Sequence, residues 1–350
     1  MNTDKPDLAI LALTPGGMAQ ARSLARQMTC DCYTSDKLIA EGFLGFEGSM
    51  AACVERLFVQ YRALLFICAS GICVRMIAPL VSDKLSDPAI LIMDEQGQHV
   101  ISLLSGHVGK ANELTLRIAR LTGASPVITT ATDVNQLSAL DILIARVGAN
   151  VSEYRQQVKM INQMLVSQQK VGLYLDNVDI EDTRGFLKLT DLSSLPEDLS
   201  ALVVFSHRTD IVVQCSIPVI WVIPRNVVVG IGCRRGCEGE LVYQNLCKHF
   251  EFLKIDIRAI LKIGSIELKQ NEPGLIELKD RLNVPFIVFS AQALKQHETR
   301  FPQSDFVQQT VGVGSISQPA AWIMSHGHLL EPTLKQDGMT ITLGVNQCCI

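Results

Sequence analysis

The sequence predicts a multidomain α/β protein. Largely parallel sheets flanked by helices are expected in the N- and C-terminal domains, with a smaller α/β middle domain. Three observations lead there. Short apolar runs of strand length alternate with stretches whose apolar residues recur at helical spacing, from the start of the chain onward. The 350 residues exceed what one ordinary core accommodates, so two or three domains are expected. A content of 48% apolar and 19% charged residues belongs to globular proteins rather than disordered ones. The expected boundaries are 1–135, 136–225 and 226–350.

In the first domain, Leu8 to Leu13 reads as a strand, Thr14-Pro15-Gly16-Gly17 as a turn and Met18 to Met28 as a helix. Ser49 to Tyr61 is a helix, with apolar positions at Ala52, Leu57 and Tyr61 among charges. Ala63 to Cys68 is a buried strand, followed by a helix from about Gly71 that stops before Pro79. Ala89 to Met93 and His99 to Leu104 flank Glu95-Gln96-Gly97, which reads as a hairpin turn. The next helix shows Leu114, Ile118 and Leu121 on one face, and Pro126 to Thr130 is a short strand.

The middle domain opens with a polar helix from Val151 to Gln169. Strand-like pieces follow at Gly172 to Leu175, Phe186 to Leu189, Ala201 to Phe205 and Ile211 to Gln214. No catalytic constellation stands out there. The third domain begins at Val227 with VVVGIGCRRG, read as strand, tight turn and helix start. Glu238 to Phe250, Leu275 to Asn283 and Gln318 to Ser325 read as helices, Pro285 to Phe289 and Met339 to Leu343 as strands.

Charge and cysteine content exclude several classes. A formal net charge of −4 gives no reason to expect nucleic acid as partner. Eleven cysteines without CxxC pairs argue against a disulfide framework and a zinc ribbon, and point to a reducing compartment. MNTDKPD lacks the regions of a signal peptide, and the apolar stretch from Ala63 to Val74 is too short to span a bilayer. A cytoplasmic protein with no membrane partner is expected.

The densest chemistry lies between residues 101 and 135. A strand ends in Ser105-Gly106-His107 and the next in Thr129, Thr130, Thr132 and Asp133, so two strand ends carry proton-transferring groups. Ligands of open α/β sheets sit at such ends. An imidazole accepts a proton from water near neutral pH, and a carboxylate partner such as Glu113 or Asp133 raises its basicity. The glycines let backbone approach a ligand, and the nearby helix start offers N–H groups to an oxyanion. The plainer readings are that His107 and Glu113 cap the helix and that Asp133 closes an Asx turn. Arg75 either reaches a carboxylate in the cleft or lays its stem over the core with its head in water.

A second concentration is Gly230-Ile231-Gly232-Cys233-Arg234-Arg235-Gly236, where glycine-freed N–H groups and two guanidiniums suit carboxylate or phosphate. Its GxGxxxG spacing is one residue longer than the dinucleotide pattern. Glu272-Pro273-Gly274 and Gly312 to Ser315 are turn signals that also suit a cleft wall. His326-Gly327-His328 lacks a third ligand and reads as a surface loop, and Cys233 lacks a histidine partner.

These segments resemble a known family. SGHVGKANELT, PVITTATDVN, VRMIAPLVSDK, GIGCRRG, SIELKQNEPGLIEL and VGVGSISQPAAW together, in this order of domains, resemble the CbiG family, the cobalt-precorrin-5A hydrolases of the anaerobic cobalamin pathway. The resemblance covers about residues 60–135 and 227–343, and it implies a reaction. Water opens the δ-lactone of a ring-contracted cobalt corrinoid, the extruded carbon leaves as acetaldehyde, and cobalt-precorrin-5B remains. On this basis His107 is the expected base, with Glu113 or Asp133 orienting it, and the backbone from Ser105 to Gly109 the expected oxyanion site. Substrate contacts are expected from Arg75, Ser105, Gly106, Thr129, Thr130, Gly230, Gly232, Arg234, Arg235 and Glu272. No cofactor beyond the substrate's own cobalt is required. Transient contact with neighbouring pathway enzymes is compatible with such a role. The C-terminal domain resembles the small protein CobE, which implies that it holds the corrinoid while the N-terminal domain hydrolyses it. Two rivals remain: a non-enzymatic corrinoid carrier, and a nucleotide-dependent oxidoreductase built on the glycine turn.

Overall fold

The computed structural model describes residues 5–346, which fall into two compact units meeting at Leu137 and Ser138. In chain order, the first unit contains β1 (Leu8–Ala12), α1 (Pro15–Ala25), β2 (Asp31–Thr34), β3 (Leu44–Gly45), α2 (Met50–Gln60), β4 (Ala63–Ile67), α3 (Ser70–Ile77), β5 (Ala89–Met93), β6 (His99–Leu104), α4 (Ala111–Thr122), β7 (Ser125–Val127) and the short α5 (Ala131–Val134). Its strands form one sheet in the order β3-β2-β1-β4-β5-β6-β7. The sequences LAILA, ALLFI and AILIM of β1, β4 and β5 are buried throughout, as strands covered on both faces must be. Met18, Leu24 and Ile118 from α1 and α4 pack on one face, with Leu8, Ile10 and Leu65. Val54, Leu57 and Ile77 from α2 and α3 pack on the other, with Leu11, Leu64 and Phe66. Thr14 and Ser49 cap α1 and α2 through their hydroxyls, accepting from Gly17 N and Ala52 N.

One reversal positions the site. Strands β1 to β5 run parallel, but β6 returns antiparallel to β5, and β7 runs parallel to β6. Asp94 makes the turn: its carboxylate accepts from Gln96 N, Gln98 N and His99 N at 3.0, 3.2 and 2.6 Å. Leu104 therefore pairs with Ile90, at the start of β5. The carboxyl ends of β6 and β7 stand on the edge where β1, β4 and β5 begin.

The second unit carries two sheets. Its first part holds α6 (Leu140–Arg146), β8 (Asn150–Val151), α7 (Tyr154–Val166), β9 (Val171–Leu175), β10 (Phe186–Leu189), β11 (Ala201–Phe205) and β12 (Val219–Ile223), with sheet order β10-β9-β11-β12-β8. Its second part holds β13 (Val227–Cys233), α8 (Gly239–Phe252), β14 (Ile260–Ile266), α9 (Pro273–Leu282), β15 (Phe286–Phe289), α10 (Ala291–Glu298), α11 (Asp305–Val311), α12 (Ser317–Met324), β16 (Leu329–Gln336) and β17 (Met339–Val345), with order β15-β14-β13-β17-β16. The parts are joined by Arg225, whose Nε donates to Ile260 O at 3.1 Å, and by Asp256 N donating to His207 O at 2.8 Å.

The mixed α/β class and the parallel sheets match the expectation. Individual elements differ. Ile211–Gln214 forms no strand and Val212 is exposed; the place beside β11 goes to β12, a run of five residues paired along most of its length. The expected strand from Pro126 is shorter because the chain turns into α5 at Ala131, and the polar helix contracts to Tyr154–Val166.

Candidate active site

The loop between β6 and α4 is built under constraint. Ser105 and Lys110 have φ of 59° and 64°, the left-handed region that residues with a Cβ seldom adopt. Ala111 N and Asn112 N donate back to Ser105 O and Gly106 O at 3.2 and 3.0 Å, closing the loop on the start of α4. Ser105 Oγ donates to Asp87 O at 3.1 Å, tying the loop to the start of β5. A Cβ on Gly109 would lie 2.4 Å from Ser105 Cβ, and one on Gly106 would lie 2.8 Å from Asn112 Oδ1. Only glycine fits either position.

This loop presents His107, whose side chain is 12% exposed, to the short helix α5 that follows β7. Its Nε2 lies 3.0 Å from Asp133 Oδ2 and 3.1 Å from Thr132 Oγ1. Asn112, buried at the start of α4, donates from Nδ2 to Asp133 Oδ2 and to Thr130 Oγ1, both at 3.0 Å, and accepts from Ser102 Oγ at 2.6 Å. A half-exposed carboxylate thus meets an imidazole from one side and an amide from the other. The arrangement can hold an imidazole in a fixed orientation and stabilise its charged form.

The structure brings together Ser105, Gly106, His107, Thr130 and Asp133. It does not bring in Glu113, which lies on the exposed face of α4 and has no hydrogen-bond or ion-pair partner among the described residues. Adjacent helix positions point about 100° apart, so Asn112 and Glu113 cannot both face the imidazole. Thr129 is exposed. The exposed Arg75 folds its guanidinium back along α3 against Gly71, toward the carboxyl end of β4. Leu104 and His107 occupy the opposite sheet edge, so Arg75 is not part of this cluster. Sequence reasoning set Asn112 beside His107 and counted Thr132 among the proton-transferring groups, but gave neither a specific partner. The available signal was a polar residue on the buried stripe of an amphipathic helix, in register with Ile118 and Ala119.

The glycine turn of the second unit is organised differently from the expectation. Gly230 is buried beneath α12: a Cβ there would lie 1.9 Å from Ser317 O. A Cβ on Gly232 would lie 2.7 Å from Thr340 Oγ1 of β17. These close approaches are to the protein's own elements rather than to a ligand. The N–H groups of Gly236 and Cys237, which an anion would need, donate to Glu272 Oε1 at 2.7 and 3.2 Å. Glu272 is buried, and Lys269 Nζ donates to its Oε2 at 2.8 Å. Burial pushes its carboxyl up, but Lys269 and the two N–H groups outweigh this and hold it below the usual range. Glu272 is therefore an internal ligand of the turn, not a surface for substrate. Arg234 and Arg235 are exposed and have no ion-pair partner among the described residues. Burial, then the neighbouring Cys237, raises the Cys233 thiol far above its ordinary value, the reverse of an activated nucleophile. His326 and His328 are exposed, and no group of three or more metal-binding side chains occurs among the described residues.

Comparison with known proteins gives a consistent answer. Family models described as cobalamin synthesis G N-terminal, cobalamin biosynthesis central region and cobalamin synthesis G C-terminus match residues 52–133, 138–221 and 227–344. The chain is similar to the cobalt-precorrin-5A hydrolase of Salmonella typhimurium, at 51% identity over 351 residues covering 99% of both chains. It is also similar to that of Priestia megaterium, at 31% identity over 98% of this chain and 95% of the relative. A solved structure of a cobalamin biosynthesis protein G homolog from Sulfolobus solfataricus covers 97% of both chains at 20% identity, with a TM-score of 0.40. Matches to all three parts in succession, with full-length relatives at this identity, show that the chain belongs to the cobalamin synthesis G, or CbiG, family.

Proposed function

We propose that this chain is a cobalt-precorrin-5A hydrolase that opens the corrinoid δ-lactone and releases acetaldehyde, giving cobalt-precorrin-5B. The observation that carries the reading is the 51% identity to a hydrolase of that name over 99% of both chains. The His107 cluster supplies chemistry of the required kind. Water adds to the lactone carbonyl while His107 takes its proton, and the oxyanion is met by backbone N–H groups. Lys110, Ala111 and Asn112 use their N–H groups inside the loop, so these donors fall to Gly106, Val108 and Gly109. The proton returns to the ring oxygen as the lactone opens. The resulting hydroxyl then loses its proton, its carbon becomes the carbonyl of acetaldehyde, and the electron pair of the broken C–C bond stays with the macrocycle.

Arg234 and Arg235 are the groups for the peripheral carboxylates of the corrinoid, each charge-assisted contact contributing roughly 1.5–3 kcal/mol. The cobalt arrives with the substrate, and the reading requires no resident cofactor. No described helix is long and apolar enough to cross a membrane. We place the enzyme in the cytoplasm, exchanging labile intermediates with neighbouring pathway enzymes through transient contacts. The carrier reading lacks support of this kind, since the relatives are named as hydrolases. The dinucleotide reading fails at the turn, where Glu272 takes the N–H groups a pyrophosphate would use.

The test is acetaldehyde measured from purified protein and the lactone substrate. His107→Ala is expected to abolish release while a spectroscopic titration still shows corrinoid binding. Replacing Arg234 and Arg235 together by Ala is expected to weaken that binding at least tenfold. Wild-type protein that binds the lactone without forming acetaldehyde would leave only the carrier.

A further inference from the structure

Asn245 stands on the apolar stripe of α8, with Val242, Leu246 and Phe250, and is fully buried. Its Oδ1 has no hydrogen-bond partner among the described residues. A buried amide with an orphan oxygen is a costly choice for a core position, where an apolar side chain leaves nothing unpaired. What the amide does make is a contact across the fold. Nδ2 donates to Asp337 Oδ2 at 2.9 Å and lies 3.4 Å from Met339 Sδ. Asp337 and Gly338 form the two-residue loop between β16 and β17, with φ of 53° and 72°. Positive φ at both positions marks the hairpin turn that Asp-Gly favours without help, so a tether from α8 is not needed to form it.

The same loop is the seat of Arg234. β13 pairs with β17 as far as Cys233 and Met339, and Arg234 N donates to Gly338 O at 3.2 Å. The arginine side chain then crosses the glycine: a Cβ on Gly338 would lie 2.8 Å from its Cδ and Nε. The residue before that glycine is an exposed aspartate, yet among the described residues no ion pair joins Asp337 to Arg234. The carboxylate is turned to Asn245 instead.

We propose that Asn245 is a positioning residue for corrinoid binding: it holds the Asp337 carboxylate back from Arg234, so that the guanidinium seated on Gly338 stays open to a carboxylate of the substrate. The statement rests on the reading of Arg234 as a substrate contact. An aspartate one residue from the seat competes for that guanidinium at the high effective concentration of a tethered group. A neutral amide restrains it without adding a charge of its own.

The test is spectroscopic titration of the full chain with the lactone substrate. Asn245→Leu is expected to weaken binding roughly three- to fivefold, the worth of an exposed ion pair, with kcat for acetaldehyde release unchanged. Adding Asp337→Asn is expected to restore wild-type affinity, whereas Asp337→Asn alone changes it by less than about twofold. In Arg234→Ala protein, Asn245→Leu is expected to be silent. Wild-type affinity in Asn245→Leu overturns the proposal. So does an Asp337→Asn effect of equal size in both backgrounds, which a purely structural role of Asn245 predicts. Asn245→Ala carries the same expectations and serves if the leucine variant does not fold. If Arg234→Ala binds as the wild type does, the substrate-contact reading falls instead. A crystal structure of the Asn245→Leu protein still judges the restraint in that case. Asp337 is expected within ion-pair distance of Arg234, and a carboxylate that stays apart from it overturns the proposal.

Discussion

Asn112 and Glu113 leave the first turn of α4 in different directions, one into the polar cluster and one into water. Glu113→Gln is accordingly expected to change kcat less than twofold. Asp133→Asn is expected to lower it roughly 10²- to 10⁴-fold, because an amide accepts poorly from Nε2–H and no longer stabilises the imidazolium. Steady-state acetaldehyde formation compares the two, and equal losses would mean that the carboxylate partner has been misassigned. The sequence made His107 and Asp133 legible because histidine and aspartate advertise proton transfer wherever they stand. It set Asn112 beside His107 without showing what the amide would bind. Its value as a bridge depends on the register of α4 against β6 and β7, which no local pattern states.

At the scale of elements, the turn after β13 shows how a glycine pattern misleads. GIGCRRG was read as a cradle for an anion, and the cradle exists, but Glu272 from the start of α9 occupies it. The pairing spans 36 residues, beyond the reach of any motif. Glu272→Gln leaves Lys269, whose side chain is 12% exposed, without its counter-charge and is expected to cost about 3 kcal/mol of stability. The sign of the pH dependence follows from the depressed carboxyl. Its contribution is complete above the ordinary value of 4.5 and is lost as pH falls through the lower folded value. Denaturant melts of the wild type and Glu272→Gln should therefore converge in strong acid and separate above it. Curves that stay equally far apart at all pH would deny the pair this role. The strands themselves were more legible. Unbroken apolar runs such as ALLFI and AILIM suit a strand covered on both faces, whereas β12, with the exposed Trp221 in its centre, lacked that signal.

For the molecule as a whole, acid sensitivity is expected well before the carboxylates titrate. His207, at the junction of the two sheets of the second unit, and His249, inside α8, are buried, and burial lowers both below the ordinary 6.5. The unfolded chain therefore binds protons that the folded chain refuses, so stability is complete above about 6.5 and falls as pH drops beneath it. Melting of the second unit is expected to move down between pH 7 and 5, and His249→Gln to flatten the slope. A transition that does not move across this interval would show that neither ring is held neutral. The fold class was readable because alternation of strand and helix is a property of the whole string. The hairpin turn at Glu95-Gln96-Gly97 made the reversal at β6 readable too; the order of the other strands was not, since hydrophobicity is blind to direction, and nor was the one aspartate that makes the turn.

That aspartate stands at the far end of the strand from the imidazole. Asp94 gathers three amide hydrogens and so decides where β6 starts to climb. A slip of a single residue at this hairpin would exchange the two faces of the strand, turning Ser102 away from Asn112 and shifting the Ser105 corner off its seat on Asp87. The hairpin works as the gauge block of the catalytic corner, setting from a strand's length away a height that none of the reacting groups could set for themselves.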